Sequence, residues 1–172
     1  LSAEEAPEKV AYTDYIITLK PGIFYQKHPA FAQDKENQYL YQHLNFEQAN
    51  SYQVLSDFKE TATREVTAED YVYQIKRLAE PHLSAPIYGL MSRYIQGLKE
   101  LRETLIKEGE GLPKAIELDL RKYPLSGVQV LDRYTYRIRI IGKYPQFLYW
   151  LAMPFFSPVP WEVAHFYAQH GL

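Results

Sequence analysis

From Tyr134 to Ile141 the chain reads Tyr-Thr-Tyr-Arg-Ile-Arg-Ile-Ile, and no other stretch constrains the fold as tightly. A strand sends successive side chains to opposite faces, so Tyr134, Tyr136, Ile138 and Ile140 share one face and Thr135, Arg137 and Arg139 the other. The first face needs a cover; the second can stay wet. Gly127 to Asp132 has the same character just upstream, and Asp132-Arg133 stands at the turn of the hairpin this predicts. Far earlier, Val10 to Lys20 sets Tyr15, Ile17 and Leu19 on one side at period two. Pro21-Gly22 ends that strand, and Ile23 to Tyr25 resumes a short one.

The cover for these strands is helical. In VTAEDYVYQIKRLAEP, Thr67 caps a helix and Asp70 reaches back to close the box, with Glu69 and Asp70 at the positive end of the helix dipole. Tyr71, Val72, Ile75, Leu78 and Ala79 make one apolar stripe, and Pro81 stops the run. After Pro86 come Leu90, Met91, Tyr94 and Ile95 on one helical face, then Leu98, Leu101 and Leu105 beyond Gly97, which predicts two helices joined near that glycine. Ala115 to Lys122 is ambiguous, although Ile116, Leu118 and Leu120 alternate as a strand would. Pro145 and Pro160 each open a short helix, the second stopped by Gly171. Strands at both ends with helices gathered between them give an α+β fold, a small mixed sheet with packed helices.

At 172 residues the chain suits one domain, with residues 1–9 flexible and 27–65 an insertion on the surface that holds a short helix near Asn45 to Ser51. A domain of this size buries roughly 68–70% of its unfolded surface and needs no cross-links. It has none, because there are 0 cysteines. That excludes disulfides, thiolate metal sites, cysteine nucleophiles and haem attachment. A net charge of −2 offers no grip on a phosphate backbone, so nucleic acid is not an expected partner. No apolar run is long enough to span a bilayer, and LSAEEAPEKV has the pattern of neither a signal peptide nor an initiator end. The chain reads as a piece of something longer.

Candidate chemistry is sparse. Walker A, GxGxxG, HExxH and GxSxG patterns are absent. Glu162 and His165 are three apart and could share a metal, but without a third ligand they read as a solvated helix face, and neither a metal site nor a cofactor is expected. Glu117 and Asp119 sit at the spacing of a general acid/base pair on a strand, yet their charged surroundings favour an open sheet face. No catalytic residue is assigned, and an enzyme is not expected. The 16 Tyr, 8 Phe and 2 Trp suit core edges and partner surfaces alike.

The runs YIITLKPGIFY, VTAEDYVYQIKRLAEP, SAPIYGLMSRYIQG, GVQVLDRYTYRIRI and YPQFLYWLAMPFFSPVPWEVAHFYAQHG resemble, in this order, the extracellular solute-binding protein family 5. These are the oligopeptide- and dipeptide-binding receptors of ABC importers. The resemblance spans Tyr12 to Gly171 and departs from the family pattern over about Ala30 to Arg64, where this chain carries extra residues. It implies the small extra domain of a much longer two-lobed receptor, located in the periplasm or outside the cell, with a missing N-terminus able to carry a lipid anchor. The implied partners are an oligopeptide or related small solute, the remaining lobes of the parent protein and an ABC permease complex. In the family an aromatic just after the SAP-like turn can touch ligand, which points here to Ile87 or Tyr88. A second reading, independent of the resemblance, is a structural or protein-interaction module that uses an aromatic-rich surface.

Overall fold

The computed structural model describes residues 10–111, 118–169 and 171–172. Expectations for residues 1–9, for Ile116 and Glu117 and for His170 lie outside this set. The chain forms two compact units. The first takes the N-terminal strand up to Leu19, Thr67–Glu110 and Leu118–Pro158; the second takes Lys20–Val66 and Val159–Leu172.

The first unit is built on a three-stranded sheet of order β1-β3-β2, with β1 at Tyr12–Thr18, β2 at Val128–Asp132 and β3 at Thr135–Ile141. Both pairings are antiparallel, not mixed as expected: β2 and β3 form the predicted hairpin, and β1 docks on the other edge of β3 in the opposite direction. The register places Thr13 against Ile140, Tyr15 against Ile138 and Ile17 against Tyr136 on the inner face. Tyr136, Ile138 and Ile140 are all buried, as the alternation requires. On the outer face Asp14 pairs with Arg139 at 2.7 and 2.8 Å, and Arg137 donates to Gln129 at 2.8 Å. Arg139's hydrogen bonds hold the Asp14 carboxyl below the usual carboxylate range.

Helix α2 of this unit, Ala68–Arg77, covers the inner face. Asp70 is buried and accepts from the Thr67 N–H at 2.9 Å, as the capping pattern predicts. Tyr71 stacks on Tyr136 with ring centroids 5.2 Å apart, and burial pushes the Tyr136 hydroxyl pKa upward. Each fully buried side chain of this size, Ile75 and Ile138 among them, contributes about 1.5–3 kcal/mol. The short helix Phe147–Leu151 places Phe147 against Tyr15 at 5.1 Å.

The predicted break at Gly97 is present, but its form differs. One helix is a single turn, Tyr88–Met91, and the next runs Leu98–Gly109. Between them Tyr94–Gln96 leaves the helical path to pair with β3: Gln96 N–H donates to the Arg139 carbonyl at 3.1 Å and Ile141 N–H to the Tyr94 carbonyl at 2.8 Å. Tertiary hydrogen bonds outweigh helical spacing here. Residues 118–122, ambiguous in the sequence, do not form a strand. Asp119 accepts from the Arg121 N–H at 3.1 Å and caps a 3-10 turn at Leu120–Lys122, so the local side-chain bond wins over alternation.

The stretch 27–65, expected as an insertion on the surface, contributes buried residues to the core of the second unit. Ala30, Phe31, Ala32, Ala49 and Phe58 are buried, and Phe58 stacks on Tyr52 at 3.9 Å. Its short helix, Phe46–Asn50, appears where predicted: Asn45 Oδ1 accepts from Gln48 N–H at 2.9 Å while Gln48 Oε1 accepts from Asn45 N–H at 3.0 Å. The partner that makes burial possible is the last helix, Trp161–Ala168, whose Phe166 packs against Phe58 at 5.2 Å. Polar side chains add to the tie: Gln169 Nε2 donates to the Tyr41 carbonyl at 2.9 Å, and its Oε1 accepts from Leu44 N–H at 2.8 Å.

In chain order the helices are α1 (Phe46–Asn50), α2, α3 (Tyr88–Met91), α4 (Leu98–Gly109), α5 (Phe147–Leu151) and α6 (Trp161–Ala168).

Candidate functional site

A glutamate at position 162 falls one turn from Phe166, so it lies on the buried face of α6 and must be matched there. The match is Arg64. Its Nε reaches Glu162 Oε1 at 2.7 Å and its Nη2 reaches Oε2 at 2.6 Å, a two-pronged pair between residues far apart in sequence. The Tyr39 hydroxyl donates to Oε1 at 3.2 Å, and burial, then the Glu162 charge, pushes that hydroxyl's pKa up. The Arg64 guanidinium also lies over the rings of Tyr25 and Phe31 at 5.4 and 5.6 Å. The expected solvated face is thus corrected: the Glu162 side chain keeps 3% of its exposure.

Gln42 completes the arrangement. Its buried amide donates to the carbonyls of Ala30 and Glu162, each at 2.9 Å, which leaves Oε1 to accept from His165 Nδ1 at 2.7 Å. Glu162 and His165 therefore do not converge on a shared point; each is committed to a different protein partner. Both oxygens of Glu162 meet the Arg64 guanidinium, so the group neutralises charge and fixes geometry. Among the described residues no three His, Asp or Glu side chains gather as metal ligands.

Beside this network the second unit carries an open groove of about 560 Å³ between α6 and the segment that follows α1, walled by Tyr52, Val54, Leu55, Phe58, Phe166 and Tyr167, with Asn50 and Gln53 also lining it. The volume falls within the range of small-molecule sites. Of its lining side chains, Val54, Leu55 and Tyr167 are exposed. Sequence reasoning missed this groove, because only the long-range docking of α6 creates it.

The residues named from the SAP-like turn lie in the first unit. Ile87 is buried at the start of α3. Tyr88 is half-buried, and the Arg102 guanidinium covers its ring at 4.4 Å. A smaller pocket of about 390 Å³, lined by Gln96, Glu100, Thr104, Tyr123 and Ser126, occupies the same unit and includes neither of them. Asp119 is held by Arg121 at 2.8 and 2.9 Å, and these hydrogen bonds keep its carboxyl below the usual carboxylate range, unsuited to proton transfer near neutrality.

No family model, curated protein or solved structure matches this chain. No helix among the described residues is long and apolar enough to cross a membrane.

Proposed function

We propose that the chain is a non-catalytic domain of an extracellular solute-binding receptor that delivers oligopeptides or a related small solute to an ABC permease. One observation carries this reading: the segments that resemble the family lock onto one another at the hairpin turn. Leu19 N–H, ending the YIITL strand, donates to the Tyr134 carbonyl at 2.8 Å, and Ala68 N–H, opening the TAED helix, donates to the Arg133 carbonyl at 2.9 Å. Three separated stretches that resemble one family thus share one local architecture. The committed state of Glu162, His165 and Asp119 also favours binding over turnover.

In this reading the charged grip on the solute comes from the remaining lobes of the parent, and the domain adds a few contacts from the turn at 84–88. Tyr88 is the contact assigned to it, through the part of the ring that Arg102 leaves open. Tyr88→Ala in the receptor containing this chain is expected to weaken solute affinity about fivefold, the equivalent of about 1 kcal/mol, as measured by titration calorimetry. Unchanged affinity with an intact fold removes Tyr88 from the site. Ile87→Ala serves as the contrast: its buried side chain supports the fold, so its effect appears in the unfolding midpoint.

The apolar groove of the second unit favours a second reading, an aromatic interaction surface for another protein. Leu55→Ser on the groove wall separates the two. It leaves solute affinity unchanged if the groove plays no part in solute capture, and it abolishes partner association if docking is the function.

A further inference from the structure

His28 stands where three parts of the second unit meet. Its backbone pairs with Ala62 in both directions, His28 N–H to the Ala62 carbonyl at 2.8 Å and Ala62 N–H to the His28 carbonyl at 3.3 Å. Its ring Nδ1 lies 3.1 Å from the Ala30 amide nitrogen, at the start of a 3-10 turn over Pro29–Phe31. Its Nε2 lies 3.0 Å from the Tyr167 hydroxyl on α6. The ring meets Phe166 edge-on at 5.2 Å and lies 5.5 Å from Tyr167.

The backbone amide of Ala30 can only donate, so Nδ1 must hold its lone pair and the imidazole is the neutral tautomer with its proton on Nε2. A second proton has one place to go, Nδ1. There it sets a donor against the Ala30 donor and brings a charge against the Phe166 and Phe31 rings. Among the described residues no carboxylate forms an ion pair with the ring. From α6 the facing titratable group is the Tyr167 hydroxyl; the turn at 29–31 brings none; the Ala62 stretch presents backbone. The charges nearest along these elements are Lys27, a cation, Glu60, an exposed acid two residues before Ala62, and Arg64, whose own charge is matched by Glu162.

We propose that His28 is an acid-operated latch of the second unit: neutral, its Nδ1 holds the Ala30 amide and with it the 29–31 turn, and on taking a proton it lets go of that amide while Nε2–H keeps its contact with Tyr167. Burial lowers its pKa from the ordinary value of 6.5, in accord with the geometry. The sign follows. Because the folded state prefers the neutral ring, the latch's stabilisation is full above about pH 6.5, declines as pH falls below it and levels off beneath the folded-state pKa.

The test is an NMR titration of the His28 ring in the intact chain, together with amide exchange at Ala30 at about pH 7.5 and about pH 5, corrected for intrinsic rates. His28→Gln, which can still accept and donate but takes no proton, is measured in parallel. We expect a titration midpoint below 6.5 and a loss of Ala30 protection of at least about tenfold at the lower pH in the parent chain but not in His28→Gln. A midpoint at or above 6.5, or equal acid loss in both proteins, overturns the proposal. Should His28→Gln fail to fold, Tyr167→Phe replaces it: the Tyr167 oxygen accepts from Nε2–H, a bond that favours the charged ring, so its removal is expected to lower the His28 midpoint further, and a midpoint that stays or rises overturns the latch.

Discussion

Glu162→Ala is expected to destabilise the second unit by about 3 kcal/mol, read as lost amide-exchange protection across α6 and across the 30–32 and 58–62 stretches. The figure is the lower end for breaking a buried ion pair by removing one partner. It is set low because Arg64 keeps 27% of its side-chain exposure, so water recovers part of the loss when the carboxylate goes. Removing Glu162 also takes the acceptor from the Tyr39 hydroxyl, in a site where Gln42 already holds the neighbouring carbonyls. The paired change Arg64→Met with Glu162→Leu removes both charges at once and is expected to restore most of the protection, since no uncompensated ion remains. A cost for Glu162→Ala within about 0.5 kcal/mol of zero, the usual result at a solvated surface position, contradicts the buried-pair account.

The second large effect lies in the first unit, at Gly127. A Cβ there would sit 2.3 Å from the Gln96 carbonyl oxygen and 3.0 Å from its carbon, so the backbone must move. That carbonyl accepts from Gly127 N–H at 3.0 Å, and the Gly127 carbonyl in turn accepts from Arg139 N–H at 2.7 Å. Any shift therefore separates the Tyr94–Gln96 segment from β3 and opens the buried Ile95 and Ile140 to water. Gly127→Ala is expected to cost about 2–3 kcal/mol in denaturant unfolding. Gly89, inside α3 with nothing within 4 Å of its would-be Cβ, is the control. Gly89→Ala is expected to be neutral or to stabilise by up to about 1 kcal/mol. Equal effects at the two glycines contradict the packing described for the 94–97 segment.

These two sites also show what the linear pattern carries and what it does not. The β2–β3 hairpin and the Thr67–Asp70 cap are local, so alternation and a three-residue spacing are enough to read them. The pairing of β1 with β3 joins residues more than a hundred positions apart, and strand pattern does not name its partner; the inner-face residues were legible, the antiparallel order was not. At 94–96, Tyr94 and Ile95 continue the apolar spacing of α3, and only the neighbouring strand reveals that their backbone pairs with β3. In α6 the signal for burial was present but unread, since an acid one turn from Phe166 on a short apolar helix implies a cation opposite it. Nothing local points to Arg64 as that cation, because the two residues are 98 positions apart. The groove beside α6 escaped for the same reason. Ile87 and Tyr88, by contrast, came from resemblance, and their placement at the start of α3 follows from the turn after Pro86.

The receptor reading is tested most directly by offering the full receptor that contains this chain a mixture of short peptides in equilibrium dialysis and identifying, by mass spectrometry, what is retained and in what form. The account predicts saturable retention of peptides that are recovered intact after release. Retention of none, or recovery of cleaved products, contradicts it.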